Sequence, residues 1–208
     1  MSDQSPTVFL VDDDPSVLRA LTRLLALEGF NPRPYASAQS FLEEHDPDLP
    51  GCIILDVAMP GESGLELQSR LYASQAGGQP IIFISGQSDI PISVSAMKGG
   101  ASDFLTKPVD DSVLLSAVRI AIDRCKDTLR SRRERASIKD RFAKLSAREK
   151  EVFSGVVAGM LNKQIANKLG IAEKTVKVHR GRTMRKMAAR SLAELVLAAD
   201  RIGLAGGH

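Results

Sequence analysis

The chain has 208 residues, 43% of them hydrophobic, which is enough for one large or two small domains with packed cores. No apolar run reaches the length of a membrane-spanning helix, and the first residues lack signal-peptide character. Two cysteines without metal-ligand or redox spacing favour a reducing compartment, so we expect a cytoplasmic protein with no membrane partner.

The net charge of +3 is divided unequally along the chain. Residues 1–108 hold 14 acidic and 6 basic side chains, a net charge of −8. Residues 109–208 hold 11 acidic and 22 basic side chains, a net charge of +11. This asymmetry indicates an acidic domain joined to a nucleic-acid-binding one, although a solvated basic surface without a partner would give the same counts.

The first 108 residues alternate short β runs with helical patterns. Strands are predicted at residues 7–11, 31–35, 52–56, 80–85 and 102–106. Asp14 fits a cap and Pro15 the first position of a helix that closes near Gly29, and further helices are predicted at 37–44, from Ser63 and at 90–98. The alternation predicts an α/β doubly wound, flavodoxin-like fold with a parallel sheet of order 2-1-3-4-5.

Polar residues stand where the predicted strands end. In this strand order the ends of the first, third, fourth and fifth strands meet at one crevice. The polar residues there are Asp12, Asp13, Asp56, Ser85 and Lys107. Three carboxylates repel one another unless a cation joins them, and an oxygen-only ligand set suits Mg²⁺ or Mn²⁺ rather than zinc. Asp56, alone at the centre, could attack an electrophilic phosphorus and become an acyl phosphate. The alternative is that each residue is an ordinary loop residue at a strand end.

This arrangement resembles the receiver domain of two-component response regulators over about residues 5–122. The matching residues are Asp12-Asp13, Asp56 with Met59-Pro60-Gly61, Ser85 and Lys107-Pro108. The resemblance implies that Asp56 accepts a phosphoryl group from a histidine kinase, with Ser85 and Lys107 as the groups that assist the transfer.

The same resemblance implies a metal site and a switch. The expected ligands of Mg²⁺ (or Mn²⁺) are Asp12, Asp13, Asp56 and the backbone carbonyl of Ala58. Ser85 and Phe104 match the hydroxyl and aromatic positions of the family's conformational switch. We expect phosphorylation to promote a homodimer through the fourth helix and fifth strand, where an apolar surface is predicted at Ile90, Ile92, Val94 and Met97.

Residues 109–141 contain no Gly or Pro and carry an apolar stripe at Val118, Ile122, Cys125 and Leu129. This pattern predicts a long linker helix, whereas a break near Arg130 would leave a flexible basic tether. Cys125 could be a partly exposed thiol.

The predicted divisions are a receiver at 1–122, a linker helix at 123–141 and a DNA-binding domain at 142–208.

The basic end predicts four helices. Ser146 and Glu149 form a capping box for the first, Asn162 caps the second, the third runs over about 173–188 and the fourth over about 190–202. The second and third read as a helix-turn-helix. On the third helix one face should pack inward, and it contains Val176, His179, Thr183 and Met187. The opposite face suits a major groove and contains Lys174, Lys177, Val178, Gly181 and Arg185.

This segment resembles the LuxR-type DNA-binding domain over about residues 142–203. The matching residues are Leu145, Arg148-Glu149, Gly159, Asn162-Lys163, Ile165-Ala166, Leu169, Ile171, Thr175-Val176-Lys177, His179 and Lys186-Met187. Both resemblances together are typical of the FixJ/NarL class of response regulators. The expected DNA-contacting residues are Lys163, Lys174, Thr175, Lys177, Val178, Gly181, Arg182 and Arg185.

The sequence therefore predicts a phosphorylation-gated transcription factor whose partners are a histidine kinase, promoter DNA, a second copy of the chain and RNA polymerase. A receiver that regulates other proteins without phosphorylation is the alternative, and the complete acidic set argues against it. An output enzyme has no support, because residues 142–208 contain no nucleophile–base pair or metal constellation. Any catalysis would be confined to the receiver's own phosphorylation and dephosphorylation.

Overall fold

The computed structural model describes residues 5–73, 78–86 and 90–204. The chain divides into two compact units, residues 1–130 and 131–208. None of the helices in the described ranges is long and apolar enough to cross a bilayer.

The first unit is a parallel sheet covered by helices. Its strands are β1 (Thr7–Val11), β2 (Asn31–Tyr35), β3 (Gly51–Asp56), β4 (Ile81–Ser85) and β5 (Asp103–Thr106). Its helices are α1 (Pro15–Leu27), α2 (Ala38–Glu44), α3 (Gly64–Ala73), α4 (Ile90–Lys98) and the first part of α5 (Asp111–Ala143). The strand order is β2-β1-β3-β4-β5 and every neighbouring pair is parallel, which confirms the predicted fold class.

Local capping residues begin the helices that flank the sheet. The Asp14 carboxylate accepts the Ser16 N–H at 2.8 Å, and Pro15 is the first residue of α1. At α3 the Ser63 N–H donates to Glu66 Oε2 at 2.8 Å, and the Glu66 N–H donates to Ser63 Oγ at 3.4 Å. The cap at Asp14 and the start of a helix after Ser63 are as predicted, and each helix begins directly after a loop at the carboxyl edge of the sheet.

The central strands are buried on both faces because helices cover both sides of the sheet. One face packs against α2, α3 and α4, and its largest buried strand residues are Phe9, Ile53, Leu55 and Phe83. Ile92 of α4 packs against this core, so its expected place on an exposed apolar surface is wrong. The other face packs against α1 and α5 through residues such as Val8, Ile54, Leu25 and Val118.

Helix α5 contains 33 residues without interruption, so a break near Arg130 is not observed. The residues of its predicted apolar stripe are all buried. The expectation of a partly exposed Cys125 is wrong, because its side chain is fully buried and its Sγ accepts the Gly51 N–H at 3.4 Å. The apolar stripe therefore packs this thiol against β3. Cys52, on β3, is buried as well, and burial raises the pKa of its thiol.

In the second unit, the regular elements of the residues described up to 204 are helices. This unit contains the end of α5, α6 (Ala147–Val157), α7 (Asn162–Leu169), α8 (Glu173–Met187) and α9 (Leu192–Arg201) around one apolar core. The prediction that Asn162 caps α7 is wrong, because Asn162 is the first residue of the helix and Leu161 holds the cap position. The Leu161 N–H donates to Gln164 Oε1 at 2.7 Å. Helix α9 begins at Leu192, because Ser191 caps it by accepting the Glu194 N–H at 3.2 Å.

Candidate functional site

Three charged side chains meet at the carboxyl edge of the sheet. Asp12 follows β1, Asp56 ends β3 and Lys107 follows β5. The Lys107 Nζ lies 2.7 Å from Asp12 Oδ2 and 2.7 Å from Asp56 Oδ1. The parallel register brings these strand ends together, because β1 pairs with β3, β3 with β4 and β4 with β5.

The second oxygen of each carboxylate is held by the backbone. Asp12 Oδ1 accepts the Asp14 N–H at 2.9 Å, and Asp56 Oδ2 accepts the Ala58 N–H at 2.8 Å. The two acidic residues are only 2% and 4% exposed. A buried charge is costly unless it is paired, so Lys107 and these N–H groups are what keep two carboxylates in one pocket.

Burial and charge shift the pKa values of this pocket. Burial raises the pKa of Asp56, the Lys107 hydrogen bond and charge oppose the rise, and the neighbouring Asp12 adds to it. Burial lowers the pKa of Lys107, but its hydrogen bonds to Asp12 and Asp56 outweigh this effect and leave that pKa raised. The ammonium therefore stays protonated at neutral pH and supplies the cation that joins the two carboxylates.

Of the remaining predicted residues, Ser85 contacts Lys107 through the backbone, because its carbonyl accepts the Lys107 N–H at 2.7 Å. Ser85 is the last residue of β4 and is buried. Asp13 and Ala58 are exposed in the loops that follow β1 and β3. Phe104 is half-buried in β5, with its ring centroid 6.3 Å from that of Phe83. Their roles in transfer, metal binding and switching remain predictions.

The donor set of this pocket fits a hard divalent cation, because it consists of carboxylate and carbonyl oxygens. Within the ranges 5–73, 78–86 and 90–204, no three His, Cys, Asp or Glu side chains are grouped so that they could hold a metal. Lys107 takes the position between Asp12 and Asp56. An ion would therefore compete with the ammonium for these two carboxylates.

In the second unit, α8 presents one face to the core and one to solvent. Val176, Thr183 and Met187 are buried, as predicted, whereas His179 is half-buried. The exposed residues of the opposite face are Lys174, Lys177, Val178, Gly181 and Arg185, and Lys163 and Arg182 are also exposed. Thr175 is half-buried. The unit thus carries a basic exposed face on α8, and its contact with DNA remains a prediction.

Local sequence supports α8 weakly. Ala172 stands at its start without a side-chain cap, and Gly181 lies within it. A missing cap and an interior glycine each cost about 1 kcal/mol. Tertiary contacts with α6 offset this, because the Lys186 Nζ lies 2.6 Å from Glu149 Oε2 and the Thr183 hydroxyl donates to the Glu149 carbonyl at 3.4 Å.

Sequence reasoning found Glu149 as a capping residue and as a match to the LuxR-type domain, but not its ion pair with Lys186. The Ser146 N–H donates to Glu149 Oε2 at 2.8 Å, and the Glu149 N–H donates to Ser146 Oγ at 3.2 Å. The bond from Lys186, supported by that from Ser146, lowers the pKa of Glu149 to about 2. No periodicity indicated the pairing with Lys186, because the two residues are 37 positions apart.

Two family models match the two units. The response regulator receiver domain matches residues 8–119, and the luxR family of bacterial regulatory proteins matches residues 143–199. The luxR match includes α6, α7 and α8 and most of α9. Receiver domains generally bind Mg²⁺ at their acidic pocket.

Two curated proteins are similar to this chain over nearly its whole length. Nodulation protein W of Bradyrhizobium diazoefficiens is 45% identical over 97% of this chain and 88% of its own length. The transcriptional regulatory protein FixJ of Azorhizobium caulinodans is 43% identical over 97% of this chain and 95% of its own.

Two solved structures are also similar to this chain. The response regulator StyR has a TM-score of 0.85 at 44% identity, over 95% of this chain and 99% of that one. Full-length FixJ from B. japonicum has a TM-score of 0.57 at 38% identity, over 96% and 98%. The chain therefore belongs to the FixJ/NarL class of two-component response regulators, with a receiver domain and a LuxR-type DNA-binding domain.

Proposed function

We propose that Asp56 accepts a phosphoryl group from a histidine kinase and that this modification promotes dimerisation and binding to promoter DNA. The observation that carries the proposal is the contact of one buried carboxylate, Asp56, with Lys107, beside a second carboxylate at the carboxyl edge of the sheet. The high identity to FixJ, a transcriptional regulatory protein, supports the DNA-binding output.

In the proposed transfer, a carboxylate oxygen of Asp56 attacks the phosphorus of a phosphohistidine. The P–O bond forms while the P–N bond breaks, and the imidazole, whose other ring nitrogen already carries a proton, leaves as a neutral ring. The Lys107 ammonium and the Ser85 hydroxyl then bind phosphoryl oxygens. The distance of 2.7 Å between the Lys107 Nζ and the Asp56 carboxylate supports this role for Lys107.

We assign the metal site to the carboxylates of Asp12, Asp13 and Asp56 and to the carbonyl of Ala58. Mg²⁺, or Mn²⁺, bound there would offset the negative charge of the phosphoryl group and the acidic pocket. The Asp12 carboxylate is oriented by the Asp14 N–H, which donates to Asp12 Oδ1 at 2.9 Å. Release of Lys107 from Asp12 would leave the other oxygen available for an ion.

The proposed switch links this pocket to a surface. Ser85 would move toward the phosphoryl group, and half-buried Phe104 would turn inward beside Phe83. Exposed apolar side chains on α4, next in space to β5, then offer the dimer contact. They are Ile90, Val94 and Met97, with exposed fractions of 76%, 44% and 48%.

For the output, we propose that the exposed face of α8 enters the major groove and that Lys163 and Arg182 bind phosphates. The proposed division is a receiver at 1–122, a linker helix at 123–141 and a DNA-binding domain at 142–208. A dimer would read an inverted repeat at a promoter and act on RNA polymerase, which places its action in the cytoplasm.

The test is incubation of the full chain with acetyl phosphate and Mg²⁺, followed by intact-mass measurement. The wild type should gain one phosphoryl group, and Asp56→Asn should gain none. Asp13→Asn, which keeps Asp56, should slow the gain without abolishing it. Full labelling of Asp56→Asn would overturn the assignment and favour another acceptor.

A further inference from the structure

A hydrogen bond joins the two helices of the helix-turn-helix on their polar side. Arg180 lies on α8, and Asn162 is the first residue of α7. The Arg180 Nη1 donates to the Asn162 Oδ1 at 3.1 Å. Both side chains are half-buried. Neither residue belongs to the expected DNA-contacting set, and 18 positions separate them.

Arg180 lies beside the proposed base-reading face and not within it. A helix turns by about 100° per residue, so Arg180 stands about 60° around α8 from Lys177. Gly181, which follows it directly, is exposed on that face. The guanidinium is thus directed to α7 at the boundary between the solvent side and the core side of α8.

A second polar contact holds α8 near its carboxyl end. Lys186 Nζ lies 2.6 Å from the buried Glu149 carboxylate of α6. The two contacts lie almost two turns apart on α8 and reach different helices. Apolar packing of Val176 and Met187 fixes the depth of α8, but it is not directional. Hydrogen bonds are directional, so the pair of contacts fixes how α8 is rotated about its own axis.

We propose that Arg180 is a positioning residue that acts through Asn162 to set this rotation and thereby the base specificity of α8. Contacts with base edges need donor–acceptor distances of about 2.7–3.2 Å, so a small rotation of α8 breaks them. Long lysine and arginine side chains follow phosphates through the same rotation. Loss of the Arg180–Asn162 contact therefore removes specificity while leaving the number of phosphate contacts unchanged.

The inference rests on the proposed placement of α8 in the major groove. The experiment compares the full-length wild type, Arg180→Met, Asn162→Ala and the double variant. The probes are a duplex selected by the wild type from a random pool and a scrambled duplex of the same composition, titrated at several salt concentrations. Arg148→Met is the matched control, because the ion pair of Arg148 among the described residues is with Glu151 of the same helix, at 2.9 Å.

Each single variant should lower the ratio of specific to scrambled affinity about tenfold, within the range of one lost base contact. The double variant should lose no more than either single variant, the salt slope should stay the same, and the control should bind as the wild type does. Asn162→Ala retains the arginine, so it tests the inference even if Arg180→Met does not fold.

Two results would overturn the proposal. Equal weakening on both duplexes, with the salt slope reduced by about 0.9, would make Arg180 a phosphate contact. An unchanged affinity ratio in both single variants would show that the contact does not set base choice. Lys177→Ala tests the placement of α8 in the major groove separately from the role of Arg180. If Lys177→Ala also left the affinity ratio unchanged, both the placement of α8 and the inference would be wrong.

Discussion

The Lys107 ammonium donates to the Asp56 carboxylate at 2.7 Å, and this contact opposes the rise that burial causes in the pKa of Asp56. The same ammonium binds Asp12 at 2.7 Å, so two buried carboxylates share one cation. A single lysine thus affects the stability of the receiver and the ionisation of its proposed phosphoacceptor.

Lys107→Ala is expected to destabilise the receiver by about 1–3 kcal/mol, because two carboxylates lose their partner. It should also raise the pKa of Asp56 further, so that phosphorylation by acetyl phosphate slows and needs a higher pH. The measurements are urea denaturation and intact-mass time courses over a range of pH. Lys126→Ala, an exposed lysine on α5, is the control, and equal behaviour of both variants would contradict the prediction.

Val94→Asp is expected to weaken the phosphorylated dimer at least about tenfold, because a charge would enter an apolar contact on α4. Sedimentation of the acetyl-phosphate-treated chain measures the effect. Val113→Asp places the same charge on α5, at a valine that is 50% exposed compared with 44% for Val94. Dissociation by Val113→Asp alone would move the interface away from α4, and a wild type that stays monomeric would refute the proposed dimer.

Lys177→Ala is expected to cost about 1–3 kcal/mol on the specific duplex and to relax base choice, because Lys177 and Val178 lie in the middle of the exposed face. Lys163→Ala should instead weaken all sequences alike and lower the salt slope by about one unit. Titrations on specific and scrambled duplexes at several salt concentrations measure both effects. Equal loss on both duplexes for Lys177→Ala would assign that residue to the phosphates.

The Glu149–Lys186 pair predicts a pH dependence for the second unit. The pKa of Glu149 is lowered to about 2 from an ordinary value of 4.5, so the folded state favours the ionised carboxylate. Its stabilisation is complete above about pH 4.5 and is lost as the pH falls toward about 2, because the unfolded chain binds the proton first. Glu149→Gln lacks this contribution at every pH.

The stability difference between the wild type and Glu149→Gln should therefore shrink as the pH falls through that window. Hydrogen exchange of peptides from residues 147–201 measures it within the second unit. Glu151→Gln, whose carboxylate is exposed, is the control and should follow the wild type. A difference that stays constant down to about pH 2 would exclude the proposed linkage.

The sequence by itself determined the features that depend on neighbouring residues. Continuous apolar runs predicted β1, β3 and β4, and alternation with helices predicted the doubly wound sheet, which is observed. The capping residues Asp14, Ser63 and Ser146 were readable because each acts over two or three positions. The polar set at the strand ends followed from the strand order, since parallel strands end at one edge.

Only the tertiary structure decided which distant groups touch. Lys107 lies 95 positions from Asp12, and Lys186 lies 37 from Glu149, so no helical or strand period relates either pair. Cys125 was misjudged because the apolar stripe of α5 gives the direction of the thiol but not what covers it. Such contacts depend on how helices pack against a sheet or against one another, and that packing is set by the sum of many side-chain contacts, not by a local pattern.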